Sequence, residues 1–287
     1  MRTTLLFAAL ALLAGCKTIT VEERHLIRPD ALSGKAPKQT LQLAGAAELE
    51  LARPDGALLK GILLEQPGAQ LTLLYFGGNM FHLDNSGGKV AAALAPCGVN
   101  LAIMDYRGYG RSSGMPTTAN MMDDALAAYD HLNQRYPGAV AVYGMSLGSF
   151  VAAQVARQRD VAALVLEGTT TNARDMVNGS IPWYAKPFIR VRLAPSLAAI
   201  DNTDVVSRVR APTLMLTGDQ DKDTPPALAM KVFEALPAAR KQFVLAPGAG
   251  HEDALSHPAT APVLCPFLNG VNAGLGAAPS AGLSARG

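Results

Sequence analysis

The pentapeptide Gly144-Met145-Ser146-Leu147-Gly148 sets a hydroxyl between two glycines, directly after the apolar run Ala139–Tyr143 and before the amphipathic stretch Leu147–Arg159. It matches the pattern G-x-S-x-G. A strand that turns sharply into a helix needs small residues where the two elements meet, and a side chain at the apex projects outward from a strained backbone. Ser146 then heads a helix, where free N–H groups and the dipole favour a developing negative charge. Serine and glycine also start helices for capping reasons alone, so the pentapeptide implies chemistry only with partners.

The chemistry open to such a serine is nucleophilic attack, which requires a base for its proton and an acid to fix the tautomer of that base. The chain has five histidines. His25 lies in a polar N-terminal stretch, His131 on a helix, and His257 ahead of a terminal helix. His82 follows a glycine-rich loop, but it precedes the serine and has no acid arranged beside it. His251, in "PGAGHED", follows the last apolar run and is expected at the same carboxyl edge of the sheet as Ser146, which makes it the predicted base. The segment "LTGDQDKDTPP" offers Asp219, Asp221 and Asp223 as acids. The alternative is that they solvate a loop and cap the helix beginning at Pro225, a role that suits Asp223. The order Ser, Asp, His agrees with one particular fold. No His/Cys/Asp cluster has ligand spacing, so neither a metal nor a cofactor is expected.

These residues must be positioned by a regular scaffold. Glu48–Ala52 and Ala57–Glu65 flank the turn signal "RPDG" and predict a hairpin. Leu71–Phe76, Leu101–Asp105, Ala139–Tyr143, Val161–Glu167, Thr213–Thr217 and Gln242–Ala246 are short apolar runs, separated by helical spacing such as Asn120–Tyr136 and Pro226–Leu236. The alternation predicts an α/β fold with a mostly parallel sheet of about eight strands, covered by helices on both faces. A hydrophobic fraction of 49% in 287 residues suffices for one large core. The 25 basic and 23 acidic residues are scattered, with no basic block to track phosphates, so a nucleic-acid partner is not expected.

The sequence resembles an α/β-hydrolase of the serine aminopeptidase/BEM46-like group through "GMSLG", "FGGN" (Phe76–Asn79), "DYRGYGRSSGMPT" (Asp105–Thr117), "LTGDQDKDTP" (Leu216–Pro225) and "GAGH" (Gly248–His251). The resemblance covers about Leu41 to Leu268. It implies a serine hydrolase acting on a carboxylic ester or thioester. Its G-x-x-D pattern falls on Asp221 as the acid, with Glu167 the lesser candidate. It also implies an oxyanion hole from the amides of Leu147 and Asn79, with Met80 the neighbour to check. Gly77 stands where the family commonly has histidine. A noncatalytic envelope lipoprotein using the fold for binding, or a peptidase/amidase of the same fold, are the alternatives.

Leu13-Ala14-Gly15-Cys16 closes an apolar run after Arg2 and resembles a bacterial lipobox. It implies lipidation at Cys16 and a lipid-anchored place in the cell envelope, with the outer membrane facing the periplasm the preferred site. In an oxidising compartment Cys97 and Cys265 are permitted to pair, but the expectation is two separate buried thiols. The predicted organisation is a signal at 1–16, a tether at 17–40, a hydrolase domain at 41–272 with a cap at about 169–202, and a disordered tail at 273–287. "DYRGYGRSSG" is expected to be architectural, with Arg107 and Arg111 paired locally. The predicted partners are a small acyl substrate and a membrane; the oligomeric state is not legible.

Overall fold

The computed structural model describes residues 17–276. In chain order the elements are β1 (Lys17–Val21), α1 (Glu23–Leu26), α2 (Asp30–Ser33), β2 (Ala46–Ala52), β3 (Leu58–Leu64), β4 (Thr72–Phe76), α3 (Leu83–Leu94), β5 (Asn100–Met104), α4 (Thr118–Arg135) and β6 (Val140–Met145). There follow α5 (Leu147–Gln158), β7 (Leu164–Glu167), α6 (Ala173–Ser180), β8 (Ile189–Leu193), α7 (Pro195–Ala198), α8 (Asn202–Val206), β9 (Thr213–Gly218), α9 (Pro226–Ala235), β10 (Lys241–Ala246) and α10 (Ala261–Gly276).

Eight strands form one sheet in the order β10-β9-β7-β6-β4-β5-β3-β2, parallel except where β3 pairs antiparallel with β2 and β5. Strands β4 to β7 are buried throughout, as their continuous Val/Leu/Ile runs demand. Alternate side chains divide between two cores. Leu74, Phe76 and Val142 pack with α4 and α5 through Leu132 and Val151, whereas Leu73, Tyr75 and Tyr143 pack with α3 and α10 through Val90 and Leu268. Helices on both faces are thus a consequence of the period-2 side-chain alternation. The expected α/β-hydrolase fold is what the chain adopts.

The architectural reading of "DYRGYGRSSG" describes the local packing. Arg107 spans Asp124 through Nε and Nη2 at 2.7 and 2.8 Å and also pairs with Asp55, while Arg111 pairs with Asp84 at 2.6 Å. A Cβ on Gly110 would lie 2.2 Å from an Asp105 carboxylate oxygen, so only glycine admits that carboxylate beneath the loop.

Three expectations are corrected here. Residues 17–40 are not a free tether. In "KTITV" the alternation of Ile19 and Val21 with polar residues makes a strand, which pairs in parallel with β8 from Lys17↔Ile189 to Val21↔Leu193. Val21 and Val191 close a third core with Ala173 and Leu197 under the cap. Glu23 then accepts from the amide and hydroxyl of Thr118, and Ile27 is buried in the main core. Second, Cys97 and Cys265 are disulfide-bonded, with Cα atoms 4.5 Å apart, because α10 lays its apolar face beside the turn after α3. Third, His82 does have an acid: Asp30, brought by the N-terminal segment, lies 2.6 Å from its Nε2. Helix α10 runs to Gly276 and takes in the first residues of the predicted tail. The lipobox with Cys16, and residues 277–287, lie outside the described residues.

The disulfide closes a loop with a sequence separation of 168 residues, and cross-links of that span restrict the unfolded chain most. Replacing both cysteines by alanine is expected to lower the free energy of unfolding by about 2–5 kcal/mol, read from urea denaturation.

Candidate active site

Every site residue lies at the carboxyl ends of the parallel strands, the edge at which ligands bind in open α/β sheets. Ser146 stands between β6 and α5 with φ +52°, a conformation that L-residues rarely adopt. Its neighbours leave no alternative. A Cβ on Gly144 would lie 2.1 Å from the Gly148 carbonyl oxygen, and one on Gly148 would lie 2.1 Å from that of Phe76. The elbow is pinned by Ser146 N donating to Glu167 O at 2.8 Å and by Ser149 Oγ donating to Ser146 O at 2.6 Å.

Three of the sequence-predicted residues meet in one hydrogen-bonded chain. Ser146 Oγ lies 2.8 Å from His251 Nε2, and His251 Nδ1 lies 2.8 Å from Asp221 Oδ2. An ionised carboxylate only accepts, so Nδ1 carries the proton and Nε2 is free to accept from the serine. The imidazole passes over Gly168, whose φ of +54° and missing Cβ make room for it. Gly218 likewise lets the acid and histidine loops touch, since a Cβ there would sit 2.3 Å from Ala249 O.

Burial alone would lower the His251 pKa, but the hydrogen bond and charge of Asp221 outweigh it and hold the value above the ordinary 6.5. Burial likewise opposes ionisation of Asp221. Hydrogen bonds from His251 and from both the hydroxyl and amide of Thr224 prevail and lower its pKa. Thr224 was not singled out from the sequence. Its Oγ1 donates to Asp221 Oδ2 at 2.6 Å and lies 3.1 Å from His251 Nδ1. The signal was the Asp-x-x-Thr spacing, in which Asp221 Oδ1 also accepts from the amides of Asp223 and Thr224.

The two amides expected to form an oxyanion hole flank this chain. Leu147 is the first residue of α5, so its N–H has no intrahelical acceptor. Asn79 lies on the loop after β4, which presses against the elbow: a Cβ on Gly78 would lie 2.8 Å from Met145 Sδ and 3.4 Å from Ser146 Cβ. The Asn79 side chain is fastened by Arg28 N and Tyr109 Oη, each 3.2 Å from its Oδ1, and Met80 beyond it has φ +60°. The absence of histidine at Gly77 has a steric reason. A Cβ there would fall 2.1 Å from the ring of Phe81, which packs on Tyr75, and Tyr106 Oη instead ties down the Gly77 carbonyl at 2.9 Å.

A cavity of about 370 Å³ opens over Ser146 and is lined largely by apolar side chains, among them Met121, Phe150, Val151, Met176, Leu197 and Ile200. The N-terminal segment contributes part of its wall through His25 to Arg28. His82, paired with Asp30, is buried and belongs to neither this chain nor this cavity. Among the described residues, no group of three or more His, Cys, Asp or Glu has the arrangement of a metal site.

Glu167, the lesser acid candidate, serves elsewhere. Its oxygens accept from Tyr143 Oη at 2.8 Å and Leu255 N at 2.7 Å, and burial pushes its carboxyl up to about 7. It thus ties the strand beneath the elbow to the loop beyond His251. A carboxyl raised on folding stabilises fully below its unfolded value near 4.5, and that contribution is lost as pH rises towards 7. Glu167→Gln is therefore expected to keep kcat within about tenfold and to flatten the fall in stability over this window. Melting curves across pH and ester kinetics check both; a loss of kcat comparable to removal of the triad acid, about 10⁴-fold, would make Glu167 the acid instead.

The comparisons fit this geometry. A family profile described as serine aminopeptidase, S33, matches residues 72–199. An uncharacterized protein of Mycobacterium tuberculosis is 31% identical over 238 residues, 81% of each chain. Protein bem46 of Schizosaccharomyces pombe is 29% identical over 228 residues, covering 77% of this chain and 75% of its own. Among solved structures, the Pyrococcus furiosus esterase Pf2001 superposes with a TM-score of 0.65 at 15% identity, over 82% of this chain and 98% of that one. Acetyl xylan esterase 1 from Thermoanaerobacterium gives 0.62 at 17% identity, over 83% and 87%.

Proposed function

The chain belongs to the α/β-hydrolase family, and from that premise we propose that it is a serine hydrolase cleaving a carboxylic ester or thioester through an acyl-enzyme on Ser146. The observation that carries the reading is the unbroken contact from Asp221 through His251 to Ser146 at the floor of an apolar cavity.

In the proposed reaction Ser146 Oγ attacks the acyl carbon while its proton passes to His251 Nε2. The negative charge gathers on the former carbonyl oxygen, which accepts from the amides of Leu147 and Asn79. The proton on Nε2 then goes to the leaving alcohol or thiol as its bond to the acyl carbon breaks. A water that gives its proton to His251 attacks the acyl-enzyme, and the acid departs as Ser146 recovers its proton. Asp221 keeps the imidazole in the tautomer that can accept and stabilises the imidazolium that forms. We also place the mature chain on the cell envelope, anchored by lipid at Cys16, on the strength of the Leu-Ala-Gly-Cys motif.

An apolar cavity rewards chain length. Each further buried methylene contributes about 0.8 kcal/mol, or about fourfold in kcat/KM. A series of p-nitrophenyl esters is expected to climb by that factor per carbon until the cavity is filled. Absence of turnover at every length would favour the noncatalytic binding module. A second reading, cleavage of an amide beside a charged amino terminus, is favoured by one observation: Asp223 and Glu252 stand in the cavity wall on either side of His251 in the chain. Aminoacyl p-nitroanilides assayed beside the esters separate the two.

A further inference from the structure

The cap carries a surface that the chemistry at Ser146 does not use. Trp183, Tyr184 and Phe188 are 82%, 64% and 48% exposed on one short segment, with the rings of Trp183 and Tyr184 in edge contact at 6.0 Å. Large aromatics left in water are costly unless something covers them. They are followed by cations. Lys186, Arg190 and Arg192 are exposed and enter no ion pair among the described residues. From Met176 to Ile200 the sequence contains no aspartate or glutamate.

Strand alternation sets the orientation of this charge. In the two-stranded sheet of β1 and β8, Ile19, Val21, Ile189 and Val191 face the cap core. The register places Thr18 beside Arg190 and Thr20 beside Arg192 on the opposite, solvent face. Within the two strands that face is therefore cationic, with Glu22, the next residue after β1, paired with Arg24 at 2.9 Å, and it adjoins the aromatic segment. The chain enters the same sheet at Lys17, one residue after Cys16, with no linker between.

We propose that the outer face of β1 and β8, with Trp183, Tyr184 and Phe188, docks the cap on an anionic lipid bilayer. Amphipathic aromatic rings settle at the headgroup level, and cations beside them are attracted to an anionic leaflet. A bilayer is flat, negatively charged and apolar beneath, and so complements a patch whose aromatic segment and strands bring cations and no acid of their own. The docked module is the one whose α6 and α7 supply Met176 and Leu197 to the cavity, so an acyl substrate would pass from lipid to a cavity held beside it. The inference does not depend on catalysis.

The chain contains a single tryptophan, Trp183, so its fluorescence reports on this patch alone, however the N-terminus is held. The full chain is bound to phosphatidylcholine vesicles with or without phosphatidylglycerol, each carrying brominated phosphatidylcholine as a depth quencher. In anionic vesicles the emission is expected to move to shorter wavelength and to be quenched by the brominated lipid. Salt and the Lys186→Gln/Arg190→Gln/Arg192→Gln variant should weaken this, by about fivefold per cation in the docking equilibrium and about a hundredfold for all three. Unchanged melting shows that the variant is folded, and a Trp183→Phe chain gives the background. Emission that stays solvent-like in anionic vesicles, or quenching equal in the variant and in zwitterionic vesicles, overturns the proposal.

Discussion

Ser146→Ala is expected to lower kcat for a p-nitrophenyl ester by about 10⁶-fold while leaving the fold intact. The substitution removes the oxygen that His251 Nε2 faces at 2.8 Å and nothing else in the contact chain. The elbow is fixed through the Ser146 backbone, by Ser146 N donating to Glu167 O and the Ser149 hydroxyl donating to Ser146 O, and neither bond involves the Ser146 hydroxyl. Its melting temperature should therefore stay close to that of the parent. The residual rate over water, about 10³-fold, is what oxyanion donors and binding supply without a nucleophile. Steady-state kinetics with a melting curve checks both halves. A variant retaining more than a hundredth of the parent turnover would remove Ser146 from the chemistry.

Asp221→Asn is expected to lower kcat by about 10⁴-fold through the tautomer of His251. Asp221 Oδ1 accepts two backbone amides, from Asp223 and Thr224. Asparagine keeps its carbonyl oxygen at those donors and so turns its NH₂ towards His251 Nδ1. The imidazole must then accept at Nδ1 and carry its proton on Nε2, where it cannot take one from Ser146. The pH profile should move as well. Burial lowers the His251 pKa and the Asp221 carboxylate raises it above 6.5; with that charge gone, only the weaker influence of Asp223 and Glu252 still opposes burial. In the parent, kcat/KM rises with pH as His251 loses its proton at a value above 6.5. In the variant the residual activity should rise at lower pH. A profile whose acidic limb stays in place would mean that Asp221 does not set the charge state of His251.

How far the sequence foretold this arrangement depended on the range of the interaction. The central strands β4, β5, β6, β7 and β9 were legible because a strand buried on both faces must be continuously apolar, and the β2–β3 hairpin because its turn residues mark it. Ser146 was legible because Gly144 and Gly148 are a local necessity of the elbow, where a Cβ at either would strike backbone 2.1 Å away. The base could be found by elimination among five histidines, whereas the choice among Asp219, Asp221 and Asp223 needed family resemblance. In the structure it is Asp221 whose Oδ2 reaches His251 and whose Oδ1 is held by the following amides. Features that depend on residues remote in the chain were not legible. The strand Lys17–Val21 is defined by a partner beginning at Ile189, the Asp30 carboxylate reaches His82 across fifty-two positions, and Cys97 meets Cys265 across 168. Gly77 was readable only as a departure, because its cause is the ring of Phe81 folding back over it.

The most direct measurement of the central claim is intact-mass analysis of the protein quenched with acid during turnover of a p-nitrophenyl ester, followed by mapping of the modified peptide. The account predicts a mass increase of one acyl group, carried by the peptide containing Ser146 and absent from Ser146→Ala. Turnover with no acylated protein at any quench time, or with the acyl group on a different residue, would contradict it.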